Sequence, residues 1–150
     1  MDANRLMEFL THEGFRPTLA GPGDVRFKYE GGNYAVRWYA DDEHFVAVVY
    51  PNFWRVQSDE ELARCYRAAS RAAEGTKIAK VVVLEDRDAW AVAELLVERF
   101  EQFQAFFPRT LSILKYAVNR FADVMRQSEP VPDRRLELRR GDITRFTHEN

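Results

Sequence analysis

Three groupings of side chains in this 150-residue chain bring together atoms able to do chemistry. Asp41, Asp42, Glu43 and His44 are metal-type ligands, Asp86 and Asp88 could divide into a general acid and a general base, and Cys65 is a lone thiol. Each has a plainer reading. Adjacent residues on a turn point apart, so 41–44 reads as a solvated hairpin turn rather than a coordination site. Acidic residues beside a strand turn are ordinary turn formers. Cys65 has no histidine close in sequence, and a thiol on the apolar stripe of a helix usually behaves as a small buried hydrophobe. His12, His44 and His148 are scattered. The chain contains no Gly-x-x-x-x-Gly-Lys, no Gly-x-Ser-x-Gly and no paired cysteines. It therefore lacks the local signatures of phosphate cradles, nucleophile elbows and thiolate metal sites. The expectation is a protein that is not an enzyme, with no catalytic, cofactor or metal residues.

Binding groups stand out more than catalytic ones. Arg26, Lys28 and Arg37 fall on the polar side of two alternating segments, where they form a solvated face or receive an anionic partner such as an acidic peptide, a phosphate or a nucleic acid. Phe53 and Trp54, placed between a strand and a helix, either seal the core or offer an apolar patch. Cys65, Ala69, Ala72 and Ala73 give one helix a low-relief face that suits close packing on a sheet or on a second copy. Phe100, Phe103, Phe106 and Phe107 crowd the start of the last helix, more aromatics than one stripe needs.

The elements that must position these residues follow from composition and periodicity. With 46% hydrophobic and 13% aromatic residues the chain can bury one core without disulfides, and 22 basic against 24 acidic residues leave a net charge of −2. That balance argues against bulk phosphate neutralisation, so RNA binding is the weaker alternative. A single cysteine and an N-terminus without an apolar signal core point to the cytoplasm. The longest aliphatic run, Val81 to Leu84, is far short of the roughly 20 residues that span a bilayer.

Leu6, Met7, Phe9 and Leu10 predict a helix over 3–13 that stops at Gly14. Val25, Phe27 and Tyr29, then Tyr34, Val36 and Trp38, alternate with polar residues and predict a hairpin around Gly31-Gly32. A two-residue turn there would set Tyr29 opposite Tyr34, Phe27 opposite Val36, Val25 opposite Trp38 and Arg26 opposite Arg37. His44 to Tyr50 reads as a third strand closed by Pro51-Asn52. Ser58 and Glu61 form a capping box that opens a second helix, with Leu62, Cys65, Tyr66, Ala69, Ala72 and Ala73 as its stripe and Gly75 as its exit. Two strands, Lys77 to Leu84 and Ala89 to Val97, flank a charged turn; the alanines at 89, 91 and 93 lie under something bulky. That cover is the long last helix carrying Phe107, Leu111, Leu114, Val118, Phe121 and Met125, with Pro108 in its first turn or at a kink. Ser128-Glu129-Pro130-Val131-Pro132 ends that helix and begins a tail, 128–150, expected to pack on the domain or on a partner subunit.

This order of elements resembles the type III secretion chaperone-like fold. More specifically the chain resembles the YbjN-type family, bacterial proteins loosely assigned to sensory transduction regulation. The likeness is carried by Gly14-Phe15, Phe27-Lys28-Tyr29-Glu30-Gly31 and Tyr50-Pro51-Asn52-Phe53-Trp54. Lys80-Val81-Val82-Val83 and Trp90-Ala91-Val92-Ala93-Glu94 continue it, so that it covers roughly residues 3–127. The chain departs from secretion chaperones in its pI of about 6.0, less acidic than theirs, and in its tail. The resemblance implies an α+β domain, 1–127, often dimeric, that holds a peptide segment of a protein partner. In such dimers the second helix lies near the two-fold axis. A sensor of small molecules or anionic ligands is the alternative.

Overall fold

The computed structural model describes residues 1–127. Helix α1 (Ala3–His12) starts where the Asp2 carboxylate accepts from the Asn4 N–H at 2.9 Å, and it buries Leu6, Phe9 and Leu10, the residues that recur at helical spacing. Gly14 follows in the left-handed region at φ +91°. A two-residue strand, β1 (Thr18–Leu19), then pairs with β2 (Asp24–Tyr29). No periodicity announces β1, because two residues are too few to alternate.

Strands β2 and β3 (Gly32–Tyr39) form the expected hairpin, but in a different register. The turn is Glu30-Gly31, not Gly31-Gly32; both turn residues have positive φ, +44° and +82°, as a mirror-type two-residue turn requires. Phe27 therefore faces Tyr34, Val25 faces Val36, and Arg26 faces Ala35 rather than Arg37. Both registers put the apolar residues on one face, so patterning could not separate them. Close packing does: a Cβ on Gly32 would lie 2.8 Å from the rings of Tyr34 and Tyr50, so this glycine is needed inside the strand. Arg37 now faces Asp24, which removes the expected opposition of like charges.

Strand β4 (Asp42–Arg55) does not end at Pro51-Asn52 as expected. Its register shifts instead: Tyr50 pairs with Ala91 and Trp54 with Ala89, so Pro51, Asn52 and Phe53 bulge opposite Trp90 alone. The bulge accommodates a proline, which has no N–H to give a ladder, and Asn52 takes φ +52°. Phe53 and Trp54 consequently belong to the strand rather than to a connection.

Helix α2 (Asp59–Glu74) is capped as expected at its first residue, where the Ser58 hydroxyl accepts from the Glu61 N–H at 3.1 Å. The Glu61 carboxylate reaches back to the Gln57 N–H at 2.6 Å and also accepts from the Trp54 indole at 3.0 Å. Strands β5 (Ala79–Val83) and β6 (Asp88–Leu96) and helix α3 (Phe100–Arg126) complete the described chain. Pro108 sits in the helix interior, not in the first turn.

The sheet runs β1-β2-β3-β4-β6-β5, antiparallel throughout, with the helices on one face. Ala89, Ala91 and Ala93 are fully buried there, and their small size lets α3 approach the sheet. Phe107 sits at the centre of an aromatic cluster, 5.5 Å from Phe9, 5.7 Å from Phe27 and 5.4 Å from Phe103, ring centre to ring centre. Helix α2 packs on α3 and β5. Cys65, Ala69 and Ala72 are therefore buried within the single chain, while Ala73 and Tyr66 lie outside. The expected dimer contact through this stripe is corrected by that burial: a second copy cannot reach three of its four residues. The expected 128–150 tail lies outside the described residues.

Candidate binding face

A strand exposes alternate residues to opposite sides, so the arrangement that buries Val25, Phe27, Tyr34 and Val36 under the helices turns Arg26, Lys28, Ala35 and Arg37 outward. On this open face Ala35, Ala47 and Val49 are nevertheless buried, forming a small cluster of their own with Phe45 and Val92. Longer neighbours shield them. The Arg37 guanidinium lies 4.9 Å from the centre of the Trp90 ring, and the Trp90 indole N–H is fixed by Asn52 at 2.7 Å.

A groove of about 990 Å³ opens at this end of the sheet, reaching from the open face round to Phe15, Tyr34, Tyr50 and Phe53 on the helix side. Four cations, Arg16, Arg26, Lys28 and Arg37, line it with one carboxylate, Asp24. Asp24 stands 3.8 Å from the Arg26 Nε and 3.6 Å from the Arg37 Nε, close enough for attraction and too far for hydrogen bonds. Its Oδ1 is buried with no hydrogen-bond partner among the described residues. One carboxylate shared by two guanidinium groups leaves excess positive potential in a concave site, which favours anions.

The opposite end of the same face is different in character. Leu96 is 82% exposed and Tyr39 52% exposed, and Phe45 lies across the ladder from Leu96 and 5.6 Å from Tyr39. The acidic turn Asp41-Asp42-Glu43 borders this apolar patch. The Asp42 carboxylate accepts from the His44 N–H at 3.3 Å, and the His44 ring lies 3.2 Å from the Val97 carbonyl and 3.6 Å from Glu43. These contacts are those of a turn. Among the described residues no three such side chains converge as metal ligands do.

The remaining sequence candidates are placed elsewhere. Phe53 and Trp54 point to the helix side, 5.2 and 5.6 Å from the Phe121 ring, so they close the core; Phe53 also lines the groove that holds the basic trio, whereas Trp54 does not. Asp88 pairs with Arg55 at 2.9 Å, and Asp86 accepts from the Asp88 N–H at 3.2 Å; both hold the β5–β6 turn. Burial, reinforced by the Glu61 charge, pushes the Cys65 thiol up to about 11 and leaves it a poor nucleophile. The Tyr34 hydroxyl is also raised, first by burial and then by Tyr50 and Tyr29.

Sequence reasoning missed Asp24, Asn52, Trp90 and the Tyr39-Phe45-Leu96 patch. The alternation of β6 does put Trp90 opposite its alanines, but that signal does not say which strand lies beside β6.

No protein-family model matches this chain, and no curated protein matches it by sequence. Among solved structures it is similar to the crystal structure of YbjN from E. coli, a candidate transcription regulator. The TM-score is 0.56 at 14% identity, over 82% of this chain and 93% of the other. That likeness establishes the fold, a YbjN-like α+β arrangement. No described helix is long and apolar enough to cross a membrane.

Proposed function

We propose that this chain is a non-enzymatic binding domain that holds an acidic segment of a partner protein on the open face of its sheet. The observation that carries the reading is the groove over β2 and β3, where Arg16, Arg26, Lys28 and Arg37 surround a single carboxylate. Lys28 and Arg26 are exposed and free to meet a ligand, whereas Arg37 is held over Trp90 and gives the site a fixed point. Pairing between exposed charges is screened by salt, so binding should weaken as ionic strength rises.

The test is fluorescence anisotropy with a labelled oligoglutamate peptide at about 50 mM salt, a concentration at which surface charges are only partly screened. The double variant Arg26→Glu/Lys28→Glu is expected to lose roughly tenfold or more in affinity, because like charges then face the peptide. It should stay folded, losing no more than about 1–2 kcal/mol of unfolding free energy, because both side chains are exposed and only Arg26 has a neighbouring carboxylate, Asp24, to repel after reversal. An oligoglutamate peptide that binds no better than a neutral peptide of equal length overturns the proposal.

A further inference from the structure

Resting on that reading, we infer that the bound segment is extended and bipartite, with an apolar residue six or seven positions away from its acidic run. The open face is itself bipartite. Arg26 and Lys28 sit toward the Glu30-Gly31 turn and Arg37, held over Trp90, lies between them and the apolar patch of Tyr39, Phe45 and Leu96 at the far end of the sheet. Arg26 lies level with Ala35, Val49 and Val92 across the sheet and Lys28 two residues nearer the turn, so Leu96 is four to six residues away along the strands and three strands across, from β2 to β6. At about 3.3 Å per residue along the strands and about 4.8 Å per strand across them, the diagonal is roughly 19–25 Å, which an extended peptide covers with six or seven residues.

Charge sets the direction in which the pattern lies. Asp41, Asp42 and Glu43 border the apolar patch and repel an acidic run placed there. The acidic residues must go to Arg26 and Lys28, and the apolar residue is left over Leu96. Shape favours a single strand over a second copy of this chain. Two such faces meeting head to tail would match in charge, but each would present its hollow to the other and leave both unfilled, whereas a strand enters the groove.

Synthetic peptides test this on the full 150-residue chain. Each carries a Leu-Phe pair and three glutamates, separated by Gly-Ser spacers of one, six or twelve residues, and a fourth peptide has the glutamates alone. The six-residue spacer should bind roughly tenfold more tightly than the glutamates alone, in keeping with burial of one large apolar side chain. Leu96→Ser, at a position too exposed to unfold the domain, should abolish that gain and leave the affinity for the glutamates alone unchanged. Equal affinity for all spacers, or a Leu96→Ser variant that keeps the gain, overturns the inference and spares the proposed function. Failure of every acidic peptide removes both. A dimer seen by light scattering without peptide, and lost on Leu96→Ser, assigns the face to a second copy and also overturns the inference.

Discussion

The two faces of the sheet are made by the same strands and differ in almost every physical respect. The helix side is aromatic and aliphatic, with Val25, Val36, Val46 and Val48 wholly removed from water. The open side carries the cationic groove, the Arg37–Trp90 stack and an uncovered patch at Leu96. Stability is concentrated where side chains are fully desolvated and packed; exposed charges contribute little to it and stay available for a ligand. The difference teaches that a period of two lets one strand serve both purposes without compromise.

The sharpest way to break this comparison is to cut into the helix side. Phe107→Ala should lower the unfolding free energy by about 3–5 kcal/mol, because the ring is enclosed by Phe9, Phe15, Phe27 and Phe103 and its loss leaves a cavity. Urea denaturation measures this. A loss below about 1 kcal/mol, in the range of surface substitutions, would erase the distinction between the faces.

A smaller effect comes from alkali. Cys65 keeps its proton up to about pH 11 when folded, against an ordinary thiol value of 9.0, so between these values the unfolded chain binds fewer protons than the native one. Stability should be flat below about pH 9 and fall as pH rises toward 11, by on the order of 2 kcal/mol. The raised Tyr34 hydroxyl acts in the same direction at higher pH. Comparing denaturation at pH 8 and pH 10.5 for the parent and Cys65→Ala checks it, since the variant should lose part of that slope.

Smaller again is the contrast between two neighbouring glycines. Gly32→Ala should cost about 1–3 kcal/mol by forcing the Tyr34 and Tyr50 rings aside. Gly31→Ala meets nothing within 4 Å and should cost about 1 kcal/mol, from its positive φ alone. Equal costs, measured by thermal unfolding, would undo the assignment of Glu30-Gly31 as the turn.

Much of this architecture is legible in the residues. Alternation in β2 and β3, the Ser58 cap of α2 and the four-and-three spacing of α3 are local patterns, and local patterns report which side of an element is apolar. They do not report which partner that side meets. The hairpin register escaped because shifting the turn by one residue preserves the apolar side; only the space above Gly32, filled by Tyr34 and Tyr50, distinguishes the two. Strand β4 ran past Pro51 because β6 supplied a partner that tolerates a bulge. The small-residue stripe of α2 was visible, but its use inside the monomer depended on α3 and β5 arriving beside it.

The candidate site divides in the same way. Arg26, Lys28 and Arg37 could be grouped from alternation alone, since residues two apart on a strand share a side. Asp24, two residues before Arg26, shares that side by the same rule, but its place opposite Arg37 depended on the hairpin register, and Trp90 beneath Arg37 came from the insertion of β6 between β4 and β5. Side-chain periodicity is written in the order of residues along one strand, whereas a site shared by several strands depends on sheet order, which emerges when the whole core packs together.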